Sequence, residues 1–168
     1  MLSNEVMAGD IKIAKSTMQT EKVAADLVKK IERHKNKKAV VLAMAGDLGS
    51  GKTTFTQFFA KALGIKEKIT SPTFVILRKF QIPNSKSQTN SKFKFQNFKT
   101  LAHIDAYRIE NPKEILDLGW EEMVNNPENI ILVEWADKIK KILPKDCVWV
   151  KFKHKNETTR EIKVDLSR

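Results

Sequence analysis

Residues 39–55 read AVVLAMAGDLGSGKTTF, and this stretch sets the fold class. Its first seven residues are all apolar, as in a strand that is buried on both faces of a parallel sheet. Gly46 to Gly51 form a glycine-rich turn, and the apolar residues that follow Thr53 recur at helical spacing. A strand, a glycine loop and a helix are the opening unit of an α/β fold, so the sequence predicts that class.

Residues 46–53, GDLGSGKT, match the phosphate-binding pattern G-x-x-x-x-G-K-[ST] at every position. Glycines at this spacing let backbone N–H groups close around phosphate oxygens, and the helix that follows directs its N-terminus at the same point. In this pattern Lys52 reaches the β- and γ-phosphates, and the Thr53 hydroxyl holds Mg²⁺. The predicted nucleotide-binding residues of the loop are Asp47, Leu48, Gly49, Ser50, Gly51, Lys52, Thr53 and Thr54.

A second side chain for the metal is expected at the end of an apolar strand. Glu134 follows IILV at residues 130–133, and Asp105 follows LAHI at residues 101–104. Either acid could be a surface carboxylate, but two of them at strand ends favour a role in the site. We predict Glu134 as the Mg²⁺ partner, directly or through water, and Asp105 as the group that orients the attacking water or the metal's hydration shell. His103 has the position of a structural histidine.

The remaining sequence continues the α/β pattern. Helical spacing predicts a helix over about 17–34, and a strand is expected at 74–80. Residues 83–91 are polar, so the strand and its return through residue 104 are predicted to form a hairpin with a long tip. The predicted fold is P-loop NTPase-like: one domain over residues 1–168, with a mostly parallel central sheet flanked by helices and a long β-hairpin insertion.

The composition indicates a soluble chain with an excess of positive charge. The 168 residues include 31 Lys and Arg against 20 Asp and Glu, which gives a net charge of +11. Such an excess favours either a polyanion partner such as nucleic acid or a solvated Lys surface. No apolar run approaches the roughly 20 residues of a membrane span, and the single cysteine, Cys147, fits a reducing compartment. We therefore expect a cytoplasmic protein with no membrane partner.

The phosphate-binding pattern occurs in several classes of protein. The guanine-reading sequence Asn-Lys-x-Asp is absent from the chain, and so is the Ser-Gly-Gly signature of transporter ATPases. A small-molecule kinase remains an alternative, although such kinases usually close an Arg-bearing lid over the phosphates. The arginines are Arg33, Arg78, Arg108, Arg160 and Arg168. Another alternative is a basic tRNA-binding module whose nucleotide site is only structural.

Five motifs, in this order, resemble those of the TsaE family, also called YjeE, of bacterial tRNA threonylcarbamoyladenosine biosynthesis. They are GDLGSGKTTF at 46–55, TSPTF at 70–74, HIDAYR at 103–108, LGWEE at 118–122 and VEW at 133–135. Many ATPases share the first motif, so the combination with the others carries the specificity. The sequence departs from the family pattern at Ala136, where a Pro commonly follows the Glu-Trp pair.

The resemblance implies a small Mg²⁺-dependent ATPase that acts with the partners TsaB and TsaD and meets tRNA through that complex. It implies weak intrinsic hydrolysis of ATP until the protein docks on those partners. By the same likeness Thr73 lies in a switch-like segment, Asp105 lies by the nucleotide and Arg160 lies near it, although Arg160 could equally be a solvated hairpin residue. The implied catalytic residues are Lys52, Thr73, Asp105 and Glu134, and the implied metal ligands are Thr53 and Glu134.

Positive charge is concentrated between residues 68 and 104, which contain no acidic residue. The basic residues there are Lys68, Arg78, Lys79, Lys86, Lys92, Lys94 and Lys99. We expect replacement of Lys86, Lys92 and Lys94 by Ser to leave basal ATP turnover intact, because charge in the hairpin insertion serves docking at most. Phosphate release by the triple variant measures this, and a large loss of basal turnover would contradict the separation of charge from chemistry.

Overall fold

The computed structural model describes residues 10–33, 37–83 and 97–166. The strands of this part of the chain are β1 (Asp10–Ala14), β2 (Val40–Ala45), β3 (Leu77–Gln81), β4 (Thr100–Asp105), β5 (Asn129–Glu134), β6 (Val148–His154) and β7 (Arg160–Asp165). The helices are α1 (Thr17–Glu32), α2 (Lys52–Ala62), α3 (Lys113–Leu116) and α4 (Trp120–Asn125), with a 3-10 helix at Ala136–Ile142.

The strands form one sheet in the order β1-β7-β6-β2-β5-β4-β3. Strands β6, β2, β5 and β4 pair in parallel at its centre, and the pairs β1–β7, β7–β6 and β3–β4 are antiparallel. Strand β7 follows β6 after a short polar turn, and a connection that short can only produce an antiparallel pair. The predicted parallel pairings therefore lie at the centre, while the sheet as a whole is mixed.

Side chains of β2 alternate between two cores because successive residues of a strand point to opposite faces. Leu42 and Met44 pack in the core that contains residues of α1 and α2. Val41 and Ala43 pack in the other core, with residues of α3, α4 and the 3-10 helix. All four side chains are buried. Helices thus flank the sheet on both faces, as the sequence predicts.

Helix α1 begins at the predicted position. The Ser16 side chain caps it by accepting a hydrogen bond from the backbone N–H of Gln19 at 3.3 Å. The helix ends at Glu32, before the predicted end at His34, which lies outside the described residues. Among the described helices, none combines the length and apolar character needed to cross a bilayer.

The strand predicted at 74–80 starts later, at Leu77. The backbone N–H groups of Val75 and Ile76 both donate to the carbonyl of Pro72, at 3.0 and 2.6 Å, which folds this segment into a turn. Ile76 adopts a φ of 64°, in the left-handed region and incompatible with a continuous strand. The prediction was wrong here because the apolar residues before Leu77 belong to a turn.

The predicted hairpin has its two arms in β3 and β4, which pair in antiparallel register from Leu77 opposite Ile104 to Gln81 opposite Thr100. Residues 84–96 lie outside the described residues. They contain most of the predicted tip, residues 83–91, and also Lys86, Lys92 and Lys94.

Gly46, the first residue of the phosphate loop, lies so close to β6 that a side chain does not fit. A Cβ on Gly46 would lie 2.5 Å from the carbonyl oxygen of Phe152, at a φ of +149°. We expect Gly46→Ala to lower the free energy of unfolding by about 3 kcal/mol, since the backbone must shift to relieve the overlap. Urea unfolding of the nucleotide-free protein measures this.

Gly49→Ala is the matched control, because Gly49 also has a left-handed φ, of +72°, but a Cβ there meets nothing within 4 Å. Its cost should be limited to backbone strain of about 1 kcal/mol. Equal losses of stability in the two variants would contradict the steric explanation.

Candidate functional site

Three parallel strands end at the same edge of the sheet, beside the phosphate loop of residues 46–53. Met44 of β2 lies opposite Glu134 of β5, and Glu134 lies opposite Asp105 of β4. The carboxyl ends of parallel strands are where open α/β sheets bind their ligands. The two acids predicted at strand ends are therefore neighbours, and both are buried, with exposed fractions of 4% for Asp105 and 2% for Glu134.

A cavity of about 450 Å³ opens at this edge, and we call it the carboxylate cavity. The predicted site residues that line it are Leu48, Gly49, Ser50, Gly51, Lys52, Thr53, Thr54, Thr73, Asp105 and Glu134. Ser71, Tyr107 and Trp135 line it as well. Asp47 does not line this cavity, and its backbone carbonyl accepts a hydrogen bond from the Lys52 ammonium. Most of the predicted set therefore faces a single space.

A second cavity, of about 380 Å³, lies on the other side of the phosphate loop, and we call it the α1 cavity. Gly49 and Gly51 line both cavities, so the loop is the wall between them. Arg160 lines the α1 cavity, where its Nη1 donates to the carbonyl oxygen of Asn156 at 2.6 Å and to that of Thr159 at 3.1 Å. The structure thus puts Arg160 beside the phosphate loop, and away from the carboxylate cavity.

Lys52 is folded back onto its own loop. Its ammonium donates to the carbonyl oxygens of Gly46 at 2.6 Å and Asp47 at 2.9 Å, and it lies 3.8 Å from the centre of the Trp135 ring. Burial lowers the pKa of this ammonium from its ordinary value, while nearby carboxylates, that of Glu134 above all, act in the opposite direction. Carbonyl oxygens and an aromatic face therefore stabilise the buried charge of Lys52.

Both oxygens of the Glu134 carboxylate have a hydrogen-bond partner. The Thr53 hydroxyl donates to Oε2 at 2.9 Å, and His103 Nε2 lies 2.8 Å from Oε1. Hydroxyl and carboxylate oxygens are the ligands that Mg²⁺ prefers, usually one or two from the protein with phosphate and water oxygens completing the shell. In the described residues no cluster of three or more His, Cys, Asp or Glu could hold a metal. Thr53 and Glu134 therefore fit a Mg²⁺ ion that is shared with a phosphate ligand.

Asp105 holds the segment of residues 71–74 against the end of β4. Its Oδ2 accepts hydrogen bonds from the Thr73 hydroxyl, at 2.7 Å, and from the Ser71 hydroxyl. Its Oδ1 accepts the backbone N–H of Tyr107 at 2.9 Å. The two predicted residues Thr73 and Asp105 thus bind each other, and a movement that frees Asp105 must break its hydrogen bonds to both hydroxyls.

Several residues in and around the two cavities were missed by reasoning from the sequence. Ser71 precedes Thr73 by two residues and Trp135 follows Glu134, so both lie within motifs that carried the family resemblance. His103 was interpreted as structural, yet it contacts Glu134. Ser16 was recognised only as a helix cap, and no sequence signal indicates that the start of α1 lines a cavity.

Comparison with known proteins identifies the family. The family model described as "Threonylcarbamoyl adenosine biosynthesis protein TsaE" matches residues 14–162. The chain belongs to the TsaE family. A tRNA threonylcarbamoyladenosine biosynthesis protein TsaE from Bacillus subtilis (strain 168) is 37% identical over 122 residues, which are 73% of this chain and 66%, just under two thirds, of that relative. The protein of the same name from Rickettsia typhi is 34% identical over 138 residues, 82% of this chain and 84% of the relative.

A solved structure supports the same assignment. The crystal structure of Bacillus subtilis YdiB matches with a TM-score of 0.62 and 26% identity, covering 95% of this chain and 86% of that one. The P-loop NTPase fold and the TsaE family, both predicted from the sequence, are confirmed. The matched range, residues 14–162, contains all five motifs. It therefore contains the phosphate loop and the acids at the ends of β4 and β5.

The contacts of Asp105 lead to a prediction about the 71–74 segment. We expect Asp105→Asn to loosen this segment, because one acceptor oxygen becomes an NH₂ group and the hydroxyls lose a charged partner. Amide hydrogen exchange at Val75 and Ile76 should become about 10-fold faster, the equivalent of roughly 1.4 kcal/mol. Asp117→Asn, at an exposed position before α4, is the control and should leave exchange unchanged. Unaltered exchange in Asp105→Asn would show that these hydrogen bonds do not hold the segment.

Proposed function

We propose that the protein is a Mg²⁺-dependent ATPase of tRNA threonylcarbamoyladenosine biosynthesis that works with homologues of TsaB and TsaD. The observation that carries the proposal is the convergence of Lys52, Thr53 and Glu134 on one cavity, a set suited to a nucleoside triphosphate and its metal. Membership of the TsaE family supports the tRNA-modification role. ATP hydrolysis by this subunit would sustain turnover of the partner complex, and the transfer of threonylcarbamoyl would belong to the partners.

The proposal assigns roles to four residues of the carboxylate cavity, Lys52, Thr53, Asp105 and Glu134. Thr53 and Glu134 hold Mg²⁺, which when bound neutralises charge on the β- and γ-phosphates. Lys52 neutralises charge on the same phosphates, after its ammonium exchanges the loop carbonyls for phosphate oxygens. Asp105 orients the attacking water. The hydrogen bonds from the Ser71 and Thr73 hydroxyls to Asp105 must break before its carboxylate can take this role.

The α1 cavity suits the adenosine part of ATP. Its volume of about 380 Å³ lies within the usual range for a small-ligand pocket. Phe152 and Ile162 supply an apolar surface, while Ser16, Thr17 and Arg160 supply polar groups around it. Since the loop separates this cavity from the carboxylate cavity, one ATP molecule could lie across the loop with its phosphates on the side of Glu134. Arg160 would then contact the nucleotide from the adenosine side.

Weak intrinsic activity is part of the proposal. Asp105 accepts hydrogen bonds from three donors, the hydroxyls of Ser71 and Thr73 and the backbone N–H of Tyr107. Docking on TsaB and TsaD would shift the 71–74 segment and release the carboxylate. In this scheme tRNA is met in the cytoplasm through the partner complex, and no membrane takes part.

The test is ATP turnover with and without the TsaB and TsaD homologues. We expect low turnover by the protein alone, strong stimulation by the partners, and a loss of about 100-fold in the stimulated rate for Glu134→Gln, at the upper end of the effect of changes around a bound metal. Glu121→Gln removes the same charge at an exposed position of α4 and should retain full activity.

The outcomes separate the candidate functions. Equal turnover with and without partners, or an unaffected Glu134→Gln variant, would overturn the coupled ATPase. Phosphoryl transfer to a metabolite without partner stimulation would favour a small-molecule kinase. Salt-sensitive tRNA binding by the isolated protein that survives Lys52→Ala would favour a tRNA-binding module with a structural nucleotide site.

A further inference from the structure

His103 of β4 contacts Glu134 of the neighbouring strand β5 through its side chain. It sits on β4 two residues before Asp105 and pairs in register with Leu132 of β5, itself two residues before Glu134. Its side chain is fully buried. Side chains two residues apart on a strand share a face, so His103 and Asp105 point to the same side of the sheet. A polar ring thus occupies an interior position directly beside the candidate metal site.

The ring meets Glu134 through one nitrogen only. Nε2 lies 2.8 Å from Oε1 of Glu134, whereas Nδ1 has no hydrogen-bond partner in the described part of the chain and is buried. A hydrogen on Nδ1 would have no acceptor there, while a hydrogen on Nε2 points at a carboxylate. The hydrogen-bond partners therefore assign the tautomer that carries its hydrogen on Nε2.

This arrangement has a cost that packing alone does not explain. A buried polar atom without a partner destabilises a protein by about 1–3 kcal/mol. The neighbours of His103 on this face, Leu101 and Leu132, are fully buried apolar residues, so a leucine would suit the position without leaving Nδ1 unpaired. The hydrogen bond to Glu134 is the one feature of the imidazole that a leucine could not supply.

That hydrogen bond fixes the orientation of the Glu134 carboxylate group. With Oε1 bound to His103, Oε2 is directed towards Thr53, at 2.9 Å. Thr53 and Glu134 are the two residues to which we assign Mg²⁺. Without the Nε2–H, the Glu134 side chain could rotate about its terminal bonds and lose this alignment.

We propose that His103 is a positioning residue that orients the Glu134 carboxylate for Mg²⁺ through its Nε2–H. The proposal rests on the proposed function, because it assumes that Glu134 and Thr53 bind the metal of a metal–nucleotide complex. His103 touches neither nucleotide nor metal in this scheme and acts only through Glu134.

The test measures metal coupling in nucleotide binding. The dissociation constant of AMP-PNP, a non-hydrolysable ATP analogue, is measured by calorimetry in excess Mg²⁺ and in EDTA. The value in EDTA divided by the value in Mg²⁺ reports how much the metal strengthens binding. We expect His103→Leu to reduce this ratio about 10-fold, within the range for partners of metal ligands, and to leave binding in EDTA unchanged.

Two further variants separate positioning from a structural role. His103→Gln should restore most of the ratio, because the Gln side-chain nitrogen lies as many bonds from Cβ as Nε2 does and also carries hydrogen. Leu101→Ala, on the same face of β4, removes buried apolar volume without touching the hydrogen bond and should leave the ratio unchanged. Loss of coupling in Leu101→Ala, no rescue by His103→Gln, or no effect of His103→Leu would each overturn the proposal.

A spectroscopic measurement needs no nucleotide. In protein labelled with ¹⁵N-histidine, the His103 resonances, assigned by their loss in His103→Leu, should have the pattern of an imidazole with hydrogen on Nε2. Hydrogen on Nδ1 instead would overturn the positioning role alone. A wild-type protein that fails to bind AMP-PNP would overturn the proposed function, and with it the metal step, so the two failures are distinguishable.

Discussion

The parallel pairing of β4, β5 and β2 is the constraint on which the site depends. It ends these strands at one level, so that Asp105, Glu134 and the start of the phosphate loop meet at one edge. The Glu134 carboxylate then joins separate elements, since Thr53 at the start of α2 and His103 within β4 bind its two oxygens. A buried carboxylate with both oxygens hydrogen-bonded is far less costly than an unpaired one, and the same bonds hold it in place for a metal.

The phosphate loop divides the site into two parts with different chemistry. On one side lie the carboxylates and the lysine, and on the other lie Arg160 and the start of α1. The loop can serve both cavities because glycines leave its backbone open to ligands on either side. The charged groups on the carboxylate side have partners within the protein, since loop carbonyls accept hydrogen bonds from Lys52 and Asp105 accepts them from hydroxyls. Binding of a nucleotide would therefore exchange one set of partners for another.

Much of the fold could be predicted because it depends on short-range patterns. The apolar runs before Gly46 and Glu134 indicate buried strands whatever surrounds them, and the glycine pattern needs only neighbouring residues. The segment before Leu77 was predicted wrongly because its run of apolar residues is typical of a strand, whereas its backbone turns on hydrogen bonds to the Pro72 carbonyl. The hydroxyls of Ser71 and Thr73, just before this segment, are in addition held by Asp105, which is more than 30 positions away in sequence. Contacts at that separation leave no local pattern to detect.

By itself, the sequence determined the α/β class, the phosphate loop, the two acids at strand ends and the family, because each depends on residue types at fixed short spacings. Tertiary structure alone decided that His103 contacts Glu134 and that Arg160 lines the α1 cavity. Both facts follow from strand order and register, and a shift of one residue in register would turn either side chain to the opposite face of the sheet. Register is set by the packing of two cores against the sheet, which no single motif encodes.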